Sequence, residues 1–521
     1  PHCWRCKSPI IFRATPQWFC SVESFKDAAV AATDEVRWVP SWGRDRMISM
    51  IQERADWCIS RQRRWGLPIP VFYCRDCGKP VCDSETIEAV SRLFAAEGSN
   101  AWYERDASDI LPAGYKCPHC GGEHFTKEED TLDGWFDSGS THFASMKKDQ
   151  GFWPATVYME GLDQYRGWFQ SSLLTAVAAL GQGAPFKECV THGWTVDGEG
   201  KAMHKSLGNG VDPAEIFKKY GADMIRLWAG SADYHADVRC SDNIFKQLSQ
   251  SYLKFRNTAR YCLGNLDGFD ADKLVSPAEM LELDRWAVTK LNALIERCEA
   301  AYRNYEFHVV SHAVNDFCVV ELSSFYLDII KDRLYCDEKD GLSRRSAQTA
   351  LWLILDTMTK IFAPILAFTC DEIWQAMPHR TGDDPRNVVL NQMNKPFADY
   401  ALNEDAMAAW SGLIDVRNTV NGALETARNE KKIGKSLEAR VTIPAGRIAG
   451  SRRVSMDELA DLLIVSQAEV SSDAAEVRVE PAQGAKCERC WKILPSVGSD
   501  SEHPTLCGRC ARVVRKLDVT P

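Results

Sequence analysis

Apolar residues follow two regimes along this chain. Up to about Asn243, runs such as IIFRA (10–14), PVFYC (70–74) and KECVTHGWTV (187–196) are rich in β-branched, aromatic and cysteine residues and are broken by Gly, Pro and Trp. They read as strands between helical segments, an α/β region. From Ile244 to Trp410 the period changes. Val309, Val310, Ala313, Val314, Phe317, Cys318, Phe325, Tyr326, Ile329 and Ile330 recur at three- and four-residue steps, the stripe of a buried helix face, and a second such helix runs from Arg345 through Ile361. Long amphipathic helices with short polar links predict a bundle.

Beyond the bundle, TGDDPRNVVLNQMNKP (381–396) is rich in turn formers and reads as a surface connection. Trp410 to Asn429 is helical in pattern. Arg440–Pro444 and Glu476–Glu480 alternate like short strands on either side of a helix from Met456 to Ile464, and the tail from Lys486 reads as a separate small unit. The chain thus divides into residues 1–243, 244–410, 411–485 and 486–521.

A chain of 521 residues is too long for one hydrophobic core. Its 45 % hydrophobic and 26 % charged residues are those of an ordinary soluble protein. The most apolar long stretch, Ala350 to Phe368, contains Asp356, Lys360 and Pro364, so no membrane span is expected. The start PHCWRCKSPI has no leader pattern, which makes a cytoplasmic location the working expectation. The chain opens at Pro1 without an initiator methionine, and we expect it to have been cut from something longer. A net charge of −10 disfavours nucleic acid only on average, because binding depends on where the charge sits.

The 20 cysteines are informative through their spacing. Cys487/Cys490 and Cys507/Cys510 are two C-x-x-C turns in the four-thiolate zinc pattern, each turn aiming two sulfurs at one ion. A unit of about 35 residues has little core of its own, so metal binding would supply most of its folding energy. With all four positions filled by thiolates, such a site is structural rather than catalytic. Around it lie Lys486, Arg489, Lys492, Arg509, Arg512, Arg515 and Lys516, a basic surface suited to phosphate contact. Cys74/Cys77 and Cys117/Cys120 form a second pair of knuckles with a longer insertion and are candidates for a second Zn2+. Cys3/Cys6 lacks an obvious second pair and reads as unliganded thiols.

Two tracts carry candidate chemistry. GKAMHKSLGN places Lys205 in a polar, glycine-flanked loop, from which a long cationic side chain can reach a phosphate. Taken alone, such a lysine is usually just solvated. YMEGLDQYRGWFQSSLL (158–174) gathers Glu160, Asp163 and Gln164 at a strand-to-helix junction, a set suited to an ammonium and to ribose hydroxyls. The plain alternative is that Asp163 caps the helix. WCISRQRRWGLPIP (57–70) and DGWFDSGS (133–140) precede them.

In this order the tracts PHCWRCKSPIIFRATPQWF, WCISRQRRWGLPIPVFYC, EGLDQYRGWFQSSLL, the lysine loop, SSFYLDIIKDRLY, FTCDEIW, IGKSLEA and the terminal KCERCW…CGRC resemble the bacterial isoleucyl-tRNA synthetases, within class I of the aminoacyl-tRNA synthetases. Valyl and leucyl synthetases share the architecture, but the first tract and the zinc tail favour isoleucine. The resemblance implies a partial Rossmann-like class I catalytic core of the α/β class, with the knuckle insertion around 74–120. An all-α anticodon-binding bundle, a junction of mixed α and β structure and a zinc-bearing tail would follow. It implies L-isoleucine, ATP with Mg2+ and tRNA(Ile) as substrates, and a monomer. Carried over by position, Glu160, Gly161, Asp163 and Gln164 would hold the isoleucyl-adenylate, Lys205 would act on the ATP phosphates with Ser206 beside it, and Cys487, Cys490, Cys507 and Cys510 would ligate zinc.

The chain departs from that family in three ways. The KMSKS loop is Ala202-Met203-His204-Lys205-Ser206 here, with Lys201 one position early, and Leu162 stands where the family has serine. No HIGH-like signature occurs, and the editing insertion would lie before Pro1, so the chain by itself is expected to be inactive. A non-catalytic tRNA-binding protein derived from such a synthetase is the reading from a different class. A zinc redox protein explains neither the bundle nor the loop.

Overall fold

The computed structural model describes residues 1–3, 6–203, 208–448 and 451–518, which fall into two units: Pro1–Trp194 with Tyr234–Asp237, and Thr195–Asp233 with the rest of the chain from Val238.

In the first unit, β1 (Arg37–Val39), β2 (Ala155–Gly161) and β3 (Phe186–His192) form a parallel sheet in the order β1-β3-β2. β3 is central and covered on both faces, which is why its apolar residues Phe186, Cys189 and Val190 do not follow a strict two-residue alternation. The helices α1 (Lys26–Thr33), α2 (Gly43–Gln52) and α3 (Trp168–Leu180) complete the layer structure. α3 buries every side chain from Phe169 to Val177, polar Gln170, Ser171 and Ser172 among them. Between β1 and β2, the strands Phe72–Cys74, Pro80–Val81 and Phe125–Lys127 make a small antiparallel sheet that carries the first knuckles. It has its own core of Phe72, Val90, Trp102, Ile110 and Leu111.

The sequence expectation of a strand at IIFRA does not hold. Among the described residues that segment joins no strand, Ile10 N donates only to Pro1 O at 3.1 Å, and Ile11 and Phe12 are 89 % and 90 % exposed. The β-rich composition has no partner strand to satisfy there. KECVTHGWTV is two strands rather than one: β3 ends at His192, and Thr195–Val196 pairs with Val238–Arg239 in the second unit.

The second unit is a helical bundle followed by a mixed layer. Its helices include α4 (Asp242–Gly264), α5 (Glu282–Arg303), α6 (Phe307–Asp316), the short α7 (Lys331–Cys336), α8 (Leu342–Phe362) and α9 (Ala367–Ala376). The predicted stripe from Val309 to Ile330 is α6 continued by a wide-turn, π-helical stretch, Phe317–Tyr326, and all its members except Val309 are buried. α8 runs through the middle of the bundle, with every residue from Ser346 to Phe362 buried. Its polar groups are met from within: Gln348 Nε2 donates to Asn265 O at 2.8 Å, and Lys360 pairs with Asp356 at 2.9 Å. Among the described residues no helix is long and apolar enough to cross a membrane.

α10 (Glu404–Asn429) begins six residues before the sequence signal at Trp410, its first turn capped by Asn403, whose side chain accepts from Ala406 N at 2.9 Å. Then come β4 (Ala439–Pro444), α11 (Met456–Leu463), β5 (Gln467–Ser471) and β6 (Arg478–Pro481). β4 lies between β5, parallel to it, and β6, antiparallel. The sequence pattern gave no sign of β5, which is half-buried along its whole length and has little apolar contrast. The tail forms a short hairpin, Ala485–Lys486 with Ile493–Leu494, and α12 (Gly508–Asp518).

Candidate active site and metal centres

Parallel strands end together, and the carboxyl ends of such a sheet are where open α/β proteins bind ligands. Val39, Gly161 and His192 end β1, β2 and β3, with Thr191 opposite Glu160 and His192 opposite Gly161 in the register. The chain turns at once after Gly161 into a single tight helical turn, Leu162–Tyr165, and then into α3. The first cluster singled out from the sequence, Glu160, Gly161, Asp163 and Gln164, is therefore one contiguous edge of the sheet. Glu160 and Asp163 are exposed, Gly161 is buried and Gln164 is half-buried.

Gly167 stands at the N-cap position of α3, and it is Gln164 rather than Asp163 whose side chain meets a first-turn N–H. Gln164 Oε1 accepts from Trp168 N at 2.9 Å, meeting a first-turn donor of α3, while its Nε2 donates to Asp163 Oδ2 at 3.0 Å. Leu162 packs partly buried against the core of this unit. Gly167 permits a close approach, since a Cβ there would stand 2.5 Å from Gln164 Oε1 and 2.9 Å from the Trp135 ring.

Aromatic residues flank this edge. Trp42, which follows β1, is 42 % exposed, Trp135 is 45 % exposed and Trp194, which follows β3, is 54 % exposed. Arg46 stands 5.4 Å from the Tyr165 ring centre and 6.0 Å from that of Trp42. The quoted tracts WCISRQRRWGLPIP and DGWFDSGS meet through Asp133. Its buried carboxylate accepts from Trp57 Nε1 at 2.9 Å and pairs with Arg61 at 3.2 Å, while Ser60 and Arg61 pair as a strand with Leu132 and Thr131. Asp137, one turn on, has its carboxyl raised to about 6 by burial and by the charge of Asp133. These carboxylates, the Gln164 amide, the indoles and the two guanidinium groups are of the kinds that bind a cation and a planar ring.

Lys205 and Ser206, together with His204, lie outside the described residues. The two sides of that tract are described, and Asp197 joins them. Its carboxylate accepts from Asn209 Nδ2 at 2.8 Å and from the backbone N–H of Glu199 and Lys201 at 3.0 and 2.9 Å, which holds its pKa low. Lys201, the lysine one position early, is in an exposed ion pair with Glu199 at 2.7 Å.

Each pair of knuckles brings four thiols together. In both sets, Cys74, Cys77, Cys117, Cys120 and Cys487, Cys490, Cys507, Cys510, all four sulfurs lie within 4.8 Å of one another. Cys74–Cys120, Cys77–Cys117 and Cys490–Cys507 are 3.6, 3.7 and 3.8 Å apart. A zinc ion with four thiolates at about 2.3 Å has tetrahedral edges of about 3.8 Å, so both sets fit that ion. The tail set is fully buried, whereas Cys77 and Cys120 of the first set are exposed.

Most cations of the tail's basic surface have partners within the chain. Arg509 pairs with Asp332, Lys516 with Glu338, Lys492 with Asp461 and Arg515 with Asp500 and Glu502, while Arg489 donates to Cys336 O. Among the described residues Lys486 and Arg512 make no such pair. Composition counts charges but not their partners.

Comparison with known proteins agrees with this geometry. The family described as tRNA synthetases class I (I, L, M and V) matches residues 6–241, the anticodon-binding domain of tRNA ligase matches 284–443, and the zinc finger found in FPG and IleRS matches 484–513. In fold, the chain is similar to the methionyl-tRNA synthetase of Mycobacterium tuberculosis in complex with methionyl-adenylate. That likeness has a TM-score of 0.51 at 17 % identity, over 71 % of this chain and 64 % of that one. The fold is that of a class I synthetase core followed by an anticodon-binding domain and a zinc finger. The chain is 50 % identical to the isoleucine–tRNA ligase of Syntrophotalea carbinolica over 99 % of its own length and 57 % of the relative's. It is also 50 % identical to that of Caldanaerobacter subterraneus over 98 % and 56 %. It belongs to the isoleucyl-tRNA synthetase family, and it spans a little over half the length of these relatives.

Proposed function

We propose that this chain serves the ATP-dependent activation of L-isoleucine and its transfer to tRNA(Ile). The observation that carries the reading is the placement of Glu160, Gly161, Asp163 and Gln164 as one edge at the carboxyl ends of a parallel sheet, in a chain half identical to isoleucine–tRNA ligases. On this reading Glu160, a carboxylate with open approach, faces the isoleucyl-adenylate, and Asp163 and Gln164 shape the groove beside it. Lys205, with Ser206, meets the ATP phosphates, where an ammonium offsets charge developing during adenylyl transfer, and Mg2+ accompanies the nucleotide. The bundle and tail engage tRNA. The tail set, and more weakly the Cys74 set, hold structural Zn2+, which supplies folding energy and no reaction step.

The functional division is that of the sequence: catalytic core to residue 243, anticodon domain 244–410, junction 411–485 and zinc tail. The protein acts as a cytoplasmic monomer. The test is ATP–pyrophosphate exchange by the full-length gene product with isoleucine, valine and leucine. Isoleucine is the expected preference, and Lys205→Ala is expected to abolish exchange while retaining tRNA binding. Preference for valine or leucine would reassign the substrate. The second reading, a tRNA-binding protein without catalysis, is favoured by Ala202, His204 and Leu162 in place of the family's residues. It predicts tRNA binding with no exchange for any amino acid.

A further inference from the structure

The thiols of the tail are surrounded by groups of the bundle. Arg489, inside the first C-x-x-C turn, has its Nη1 3.8 Å from Cys510 Sγ while donating to Cys336 O, and its Nη2 donates to Tyr335 O at 3.4 Å. Arg509, inside the second turn, grips Asp332 through two bonds of 2.5 and 2.8 Å and reaches Asp337 at 3.5 Å. Cys336 is buried in the same cluster as the four tail cysteines, its Sγ 3.7 Å from Arg489 O. One arginine from each turn is thus fixed by α7, Arg489 at its last two residues and Arg509 at Asp332 near its start and at Asp337 just beyond it. Their positions are not set by the tail alone.

Four thiolates around Zn2+ leave a net charge of −2, and guanidinium groups beside the sulfurs offset it. A guanidinium does so only where it is held, and here the holders are Asp332, Asp337 and the carbonyl of Cys336, more than 150 residues upstream. We propose that α7 is the outer shell of the tail's metal site, so that the bundle sets how firmly the tail keeps its zinc and the zinc sets how firmly the tail docks. The two effects are one coupling free energy and must be reciprocal. The inference rests on the reading of the tail as a zinc site and not on the ligase activity.

The test uses the whole chain loaded with Zn2+, treated with EDTA and iodoacetamide, with alkylation followed peptide by peptide. Asp332→Asn, which keeps the side-chain shape and removes its charge, is expected to speed modification of Cys487, Cys490, Cys507 and Cys510 by about 10- to 100-fold. Cys74, Cys77, Cys117 and Cys120 should react at the parent rate and serve as the internal standard. Arg489→Gln breaks the bridge from the tail side and should give the same acceleration, whatever Asp332→Asn does to the bundle. Glu502→Gln, which cuts the exposed pair with Arg515, should change nothing. Parent-like rates in Asp332→Asn and Arg489→Gln overturn the proposal, as does equal acceleration by Glu502→Gln. If the parent's tail thiols react equally fast with and without Zn2+, the zinc reading itself falls, and this inference with it.

Discussion

Gln164 and Trp168 are joined by a hydrogen bond of 2.9 Å, from the backbone N–H that opens α3 to the side-chain carbonyl of a residue placed beside the ligand edge. The amide therefore has two duties, closing a helix end and steadying Asp163. Gln164→Ala should lose both, destabilising the first unit by about 1 kcal/mol, the usual net worth of a hydrogen bond. Gln164→Glu keeps the acceptor and adds a favourable negative charge at the helix start, but replaces the donor to Asp163 with a repulsive carboxylate. Urea unfolding should then show Gln164→Glu near the parent and Gln164→Ala below it. Binding of an isoleucyl-adenylate analogue to the full-length gene product should be weakened in both. Equal unfolding midpoints for Gln164→Ala and the parent would remove the cap from the account.

Asp197 holds both sides of the lysine tract, accepting from Lys201 N and from Asn209 Nδ2. Asp197→Ala removes three hydrogen bonds at the base of the loop and leaves the exposed pair Lys201–Glu199, which is worth little. Tryptic cleavage after Lys201, timed by mass spectrometry, should become several-fold faster, while sites in α8 stay protected. An unchanged cleavage rate would show that Asp197 does not set the loop.

The bundle and the knuckles were legible because their signals are local or strictly periodic. Four cysteines in two C-x-x-C turns declare their geometry, and the stripe of α6 survives into the wide-turn stretch because burial, not hydrogen-bond register, selects its residues. The edge at Glu160 was legible as a motif, but the helix start was not, since the short turn Leu162–Tyr165 that displaces it to Trp168, out of reach of the capping role open to Asp163, has no mark in the residues. IIFRA was misread because apolar β-formers make a strand only where a partner exists. The partners of the basic tail were not legible, because the ion pairs to Asp332 and Glu338 join residues 177 and 178 positions apart.

Asp284 is fully buried in the bundle and depends on its partners. It accepts from Arg333 at 2.5 and 3.0 Å, from Tyr326 Oη at 2.7 Å and from Ser346 Oγ at 2.5 Å. Arg333→Met leaves a buried carboxylate without its cation and should destabilise the second unit by about 3 kcal/mol or more, whereas Lys516→Ala, at an exposed pair, should cost less than about 1 kcal/mol. Adding Asp284→Leu to Arg333→Met should restore much of the loss, because both charges then leave the core together. Chemical unfolding of the three variants reads this directly, and a double variant worse than Arg333→Met would contradict it.

His142 makes the first unit sensitive to acid. The ring is 1 % exposed, its Nδ1 accepts from Trp153 Nε1 at 3.0 Å, and its Nε2 lies 3.2 Å from Thr175 Oγ1, so the neutral ring carries its proton on Nε2. Burial, helped by the charge of Lys147, lowers its pKa to about 4, and protonating Nδ1 would also break the Trp153 bond. With the folded pKa below the unfolded value of about 6.5, the stability this residue contributes is present above pH 6.5, declines as pH falls and is gone below about 4. Asp137 acts in the opposite sense between about pH 4 and 6, since its raised carboxyl favours the folded state on the acid side, so a bulk melting curve mixes the two. Following the His142 ring protons by NMR separates them: the resonance should stay in its neutral position down to pH 5. Titration near 6.5 in the folded protein would mean the ring is solvated and the acid sensitivity lies elsewhere.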